Sequence, residues 1–278
     1  MSKEYTGRAD GRRTMDLLWG RQRRPTRGPK PGLALDDIVA LAVRLADGEG
    51  LGAVSMRRLA TELGVGAMSL YTYVPGKAEL LELMLDRVAG ERPGVAPSGS
   101  GLRAALDAHV RELWSMYERH PWMLEVASSR ATMGPNELDA YERFMATVAD
   151  TGLPAREAVA VGGVLQMYVS GAARIVAETR RAEAVTGKSE DDWWREREPI
   201  LAEVMTGERF PALTRLGAEG GFDVAADSPD YLVTFALEDF EFGLQRLLDG
   251  IEHHVAALTS GRRQAPRGRR AGSPGRRG

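Results

Sequence analysis

The sequence predicts an all-α protein built from a small N-terminal module and a larger helical domain. Three observations carry that expectation. Apolar residues recur at helical spacing from Leu35 onward. No Asn-Gly or Asp-Gly pair joins two alternating segments, and short β-branched runs such as Ala158 to Val161 sit inside longer helical periods. Residues 90–101 gather Gly, Pro and Ser, the composition of a boundary between two folded units.

The chain has 278 residues and no Cys, which excludes disulfides, thiolate metal sites and cysteine nucleophiles and fits a reducing, cytoplasmic setting. Its net charge of −2 is unevenly spread. Residues 1–34 carry nine Lys/Arg against three acids and residues 260–278 carry seven Arg against none, so the body between is strongly acidic. Basic ends on an acidic body point to contact with a polyanion through the ends. For the C-terminal end, solubilisation explains the charge equally well.

The first thirty-odd residues are rich in Gly, Pro and Arg and read as a flexible arm. Leu35, Ile38, Leu41, Ala42 and Leu45 then mark one helical face, with Asp36 and Asp37 at the positive end of the helix dipole and Gly48 and Gly50 closing it. Beyond the boundary, helices are expected near 102–119, 136–150, 155–182 and 230–258, with a weaker one around 190–205. The uncharged run from Ala158 to Ala173 is too short for a membrane span of about 20 apolar residues and reads as a buried helix.

The strongest local signal is SMRRLATELGVGAMSLYTYV, residues 55–74. Ser55 can cap a helix, after which Leu59 and Leu63 face inward. Ala60 is small where two helices cross, and Gly64 can take the left-handed conformation that turns the chain. Val65, Leu70 and Tyr73 complete the core of the pair. This is the spacing of a DNA-binding helix-turn-helix. Its second helix would present Ala67, Met68, Ser69 and Thr72 to base edges in the major groove, a mostly apolar and hydroxyl readout. Arg57, Tyr71, Tyr73 and Lys77 would meet phosphates, and Arg24, Arg27 and Lys30 of the arm would reach an adjacent groove. For Tyr71 and Tyr73, packing is the competing explanation.

These residues resemble the tetracycline-repressor (TetR) family of transcriptional regulators. The segment MSLYTYVPGKAELLELMLDRV is similar to that family's recognition helix and the start of its linking helix, with Tyr71 and Lys77 at phosphate-contacting positions. The arm LLWGRQRRPTRGPKPGL, and YERHPWMLEVA, MGPNELDAYERFMATVADTGL and FEFGLQRLLDGIE in the second domain, are similar to the tetracycline-repressor branch. The resemblance spans about residues 17–258. It implies a three-helix DNA-binding domain, a body that receives a small effector, and a homodimer that represses transcription from a palindromic double-stranded DNA operator until the effector binds. In tetracycline-specific members histidine helps hold a chelated magnesium. The corresponding place here is Ala127, and His109 falls near another drug-contacting place.

The residues of the body agree with that expectation. Trp114, Tyr117, Met167, Tyr168 and His109 are candidate effector contacts, because small-molecule sites are lined by aromatic and Met side chains with a few polar groups. The long segments 155–182 and 230–258 hold more apolar surface than one domain can cover. Close approach at Gly162, Gly163, Gly171 and Ala172, and broad faces from Leu232, Phe235, Leu237, Phe240, Phe242, Leu244, Leu247 and Leu248, suit a twofold four-helix interface. The four His lack metal-ligand spacing, so neither a metal nor any other cofactor is expected. No nucleophile elbow or phosphate loop is present, and an enzyme is not expected. A constitutive DNA-binding regulator or activator without a small-molecule inducer is the alternative, and a purely architectural DNA binder would have little use for so large a body. The expected organisation is a flexible basic arm over 1–34, the helix-turn-helix domain over 35–90, the effector-binding and dimerisation domain over 101–258, and a disordered basic tail over 259–278.

Overall fold

A computed structural model describes residues 4–5, 10–21, 33–92, 101–127, 130–224 and 230–264. In chain order its helices are α1 (Gly11–Leu18), α2 (Leu35–Glu49), α3 (Met56–Glu62), α4 (Ala67–Tyr73), α5 (Lys77–Ala89), α6 (Gly101–Arg119), α7 (Pro135–Ala149), α8 (Ala155–Thr186), α9 (Glu190–Val204), α10 (Pro211–Ala218) and α11 (Tyr231–Gln264). A 3-10 turn at Pro121–Glu125 follows α6. The one β pairing among the described residues is a two-residue parallel bridge between β1 (Glu4–Tyr5) and β2 (Val126–Ala127). The protein is all-α in architecture.

The N-terminal arm differs from the sequence expectation. Within residues expected to be flexible, α1 forms because the Asp10 carboxylate accepts from the free amides of Arg12 and Arg13 at 3.0 and 3.2 Å. Leu17 and Leu18 are buried against α5, and the Trp19 indole donates to the Met133 carbonyl at 3.1 Å. Gly, Pro and Arg dominate the composition of the arm, but two adjacent leucines are enough to seat one short helix. Arg24, Arg27 and Lys30, and the tail beyond Gln264, lie outside the described residues.

Helices α2 to α5 enclose the first core. Ala34 N–H donates to Asp37, starting α2, and Ile38, Ala42 and Leu45 point inward as their spacing requires. Ser55 Oγ accepts from Arg58 N–H at 3.2 Å and starts α3. Gly64 takes φ +66°, a conformation costly for any residue with a Cβ, and this lets α4 cross α3 with Leu59, Ala60 and Leu70 buried between them.

This core is not closed by the first ninety residues alone. Trp122 and Val126 from the 3-10 turn and β2 are buried in it. The Trp122 indole donates to Asp47 Oδ1 of α2 at 2.8 Å, and the His120 ring nitrogens lie 2.8 Å from that same oxygen and 2.9 Å from Glu91 Oε2. A second junction joins α5 to α7. Asp86, 5% exposed, accepts from Glu137 N–H at 2.9 Å and from the Asn136 amide at 3.0 Å. The first turn of α7 begins at Gly134, which has no side chain to cap it, so a carboxylate from another helix satisfies the orphan donors. A Cβ at Gly134 would lie 2.2 Å from Asp86 Oδ1, so only glycine admits this contact.

The second core lies between α6, α7, α8 and α11, around Leu106, Val110, Leu113, Phe144, Leu165, Val169, Leu244 and Leu248. By length and composition α8 could cross a membrane, but it packs against α6, α7 and α11. Phe240, Leu244, Leu248 and Gly162, expected on an interface between subunits, instead serve the core of one protomer. Gly162 abuts the Phe144 ring and Gly243 admits the Tyr168 hydroxyl, whose approach a Cβ would block at 2.3 Å. Helices α9 and α10 bury no residue.

Asp86→Ala is expected to lower stability by about 1–3 kcal/mol, because it strands buried donors of α7, whereas Asp86→Asn retains an acceptor and loses less. Urea unfolding of the three proteins measures both differences. Gly134→Ala should be at least as damaging as Asp86→Ala.

Candidate DNA-binding face and effector cavity

Helix α4 is anchored by Leu70 and turns its other side outward. Ala67, Ser69 and Thr72 are exposed, and Met68 is 79% exposed. A flexible thioether held in water by a rigid two-helix frame is suited to meeting apolar base edges such as thymine methyls. The Thr72 hydroxyl donates to the Ser69 carbonyl at 2.6 Å, so it faces outward as an acceptor. Tyr71 is exposed, whereas Tyr73 packs partly into the first core. Arg57 is exposed while Arg58 is turned aside by Glu62 and Glu49 at 2.8 and 3.2 Å. Lys77 opens α5, half-buried, directly after the α4–α5 turn.

In the body, a cavity of about 200 Å³ opens between α6, the 3-10 turn and α8. Trp114 and Tyr117 line it with Pro121, Ala173, Val176 and Arg180. Trp114 stacks on Phe240 with centroids 4.2 Å apart, and the Tyr117 hydroxyl accepts from the Gln166 amide. The structure does not bring the other three candidates to this cavity. Met167 is 68% exposed on the far side of α8. Tyr168 bonds the Phe240 carbonyl at 2.6 Å and stacks on its ring. His109 stands further along α6, its ring 4.0 Å from that of Phe144.

His109 belongs to a polar group that sequence reading missed. Arg92, one residue pair beyond the end of α5, sends its guanidinium into the body with a side chain only 10% exposed. It donates to His109 Nδ1 at 2.9 Å and approaches Glu112 Oε2 at 3.5 Å, while its Nε is buried without a hydrogen-bond partner among the described residues. Guanidinium only donates, so His109 Nδ1 accepts and its proton sits on Nε2. Arg92 lies in the Gly- and Pro-rich boundary, where composition indicates a linker and gives no sign of a buried charge.

Burial, together with the Arg92 charge, lowers the His109 pKa from 6.5 to about 3. The folded protein therefore binds fewer protons at this position than the unfolded chain once pH falls below 6.5. The associated stability is complete above pH 6.5 and is lost progressively toward pH 3. Between pH 7 and pH 5 the loss should be about 2 kcal/mol. Denaturant unfolding at both pH values measures it, and His109→Gln should flatten this part of the profile.

Two family models match the chain. Residues 38–84 match "Bacterial regulatory proteins, tetR family", and residues 96–255 match "Tetracyclin repressor-like, C-terminal domain". The HTH-type transcriptional repressor DrrR1 of Streptomyces coeruleorubidus is 45% identical over 258 residues, covering 92% of this chain and 90% of that protein. Apo ActR from Streptomyces coelicolor superposes with a TM-score of 0.63 at 27% identity, covering 82% of this chain and 99% of ActR. ActR in complex with actinorhodin gives 0.62 at 27% identity, over 84% and 98%. The helix-turn-helix, the helical body and these likenesses agree: the chain belongs to the tetracycline-repressor family of helix-turn-helix transcriptional repressors.

Proposed function

We propose that the chain represses transcription as a homodimer bound to a palindromic operator and releases it when a small aromatic effector enters the body. The observation that carries this reading is the outward face of α4, where Met68, Ser69 and Thr72 stand clear of a helix fixed by Leu70. Arg57, Tyr71 and Lys77 flank that face as phosphate contacts that set register without reading sequence. The protein acts on DNA in the cytoplasm and needs no cofactor.

Exposed apolar side chains support the dimer. Val164, Met167 and Ile175 recur along one face of α8, and Leu232 and Phe242 lie on α11, with Phe242 65% exposed. Side chains of this size in water on two adjacent long helices call for a partner surface, and a second copy offers the same stripe. The two α4 helices would then address half-sites about 34 Å apart or a modest multiple of that. The cavity at Trp114 and Tyr117 supports effector binding, as does the complex of ActR with actinorhodin. Pro121, which follows the His120 contact to Asp47, lines this cavity, so movement of its wall reaches the DNA-binding domain directly. Couplings of about 1–3 kcal/mol, typical of such linkage, suffice to free a promoter.

Selection from random duplexes should enrich one palindrome, and no enrichment would sink the repressor reading. Lys77→Ala should weaken binding to all sequences and reduce the salt slope by about 1 per half-site. Met68→Ala should instead change which bases are preferred, measured by repeating the selection. Light scattering at micromolar concentration should give the mass of a dimer, and Phe242→Glu with Met167→Glu should give a monomer.

A further inference from the structure

Taking the effector reading above as its basis, we propose that the effector is an anionic aromatic molecule, bearing a carboxylate or acidic phenol, whose charged oxygens are received by Arg92 and Tyr117. Two donors in this part of the body keep a proton without an acceptor among the described residues. Arg92 Nε–H is buried and unpartnered. The Tyr117 hydroxyl accepts from Gln166 and its own proton is unspent. Burial raises the Tyr117 pKa, so that proton stays in place at neutral pH.

The charge count points the same way. Arg92 is paired with the Glu112 carboxylate, one oxygen of which lies 3.5 Å from a terminal guanidinium nitrogen. Arg143 adds positive potential at Arg92, and Arg174 adds it at Tyr117. A buried guanidinium whose Nε finds no acceptor among the described residues is costly unless something else supplies one. A neutral ligand would leave that cost standing. A carboxylate or phenolate offers the missing acceptors together with the missing charge.

Tyr117 connects this group to the aromatic cavity, because its ring lines the cavity while its hydroxyl faces the field of Arg92. At about 200 Å³ the cavity is smaller than the roughly 300–1,000 Å³ of typical ligand sites. A ring seated against Trp114 and reaching past Tyr117 must therefore displace the wall between them. The charged end then fixes the ligand's orientation, and the aromatic end performs the displacement.

The test uses the full-length protein and a matched pair of probes, a naphthoate and the corresponding neutral naphthylmethanol, titrated by tryptophan fluorescence. The naphthoate should bind about tenfold more tightly or better, as expected for hydrogen bonds to a charged group. Arg92→Gln should abolish that preference while leaving the alcohol's affinity within twofold. Tyr117→Phe removes only a hydroxyl, guarding against loss of fold in the arginine variant, and should reduce the preference severalfold. Equal binding of the two probes, failure of both to bind, or a preference that survives in Arg92→Gln would each overturn the proposal. Repeating the titrations with the selected palindromic duplex separates this claim from the release mechanism. An Arg92-dependent preference with unchanged duplex affinity upholds the anion site and refutes release. Equal release by both probes refutes the anion site alone.

Discussion

A buried carboxylate anchors the DNA-binding domain of this molecule to its body. Asp86 sits near the end of α5, the helix that begins at Lys77 beside the DNA-binding face, and it accepts from the amides that open α7 in the body. The attraction is that of an anion for the positive end of a helix, made short and directional by burial. Nothing on α7 itself replaces it, since the capping position is Gly134. The absence of a side chain there is what allows α5 to come close enough, so the glycine and the aspartate form one device. Burial raises the Asp86 pKa while the bonds from Glu137 and Asn136 lower it. Burial is the larger effect, and the net shift is upward.

Asp47 plays the corresponding part on α2, taking the Trp122 indole and facing His120. The two junctions lie on different helices of the DNA-binding domain, so the release proposed above would act through the relation of α2 to α5. Such an arrangement transmits displacement without needing any bond along the path to break. The α3–α4 pair that carries Met68 shares one hydrophobic core with both helices.

Much of this was legible in the sequence where the determinants are local. Ser55, Ala60, Gly64 and Leu70 each fix one feature of the helix-turn-helix through capping, size, backbone conformation or burial, and their spacing leaves little choice. The long body helices were also legible, their ends marked by Pro, Gly and charge. Legibility failed where the outcome depends on distant partners. Helix α8 is apolar on several faces, so its period could not tell that Leu165 turns inward while Met167 turns to solvent. Trp114 and Tyr117, on the more clearly amphipathic α6, both line the cavity, whereas Tyr168 and His109 have other partners. Helix α1 was hidden by the composition around it, and Arg92 by the linker in which it stands. A buried charge in a loop has no periodic signature, because its site is made by residues far along the chain.

The place of Trp122 and Val126 in the first core bears on how this protein is made. A ribosome delivers the helix-turn-helix early, yet the hydrophobic centre of that domain stays unfilled until some thirty residues beyond its end at residue 90 have followed. During that interval the nascent domain exposes the apolar surface that the indole will later cover, a state prone to wrong association. Only when the 3-10 turn arrives does the unit close, and α6 must already be helical to bring it there. The order of synthesis thus makes maturation of the DNA-reading domain contingent on the body, so that a chain interrupted before residue 122 should be handled by the cell as unfinished and not as a small functional repressor.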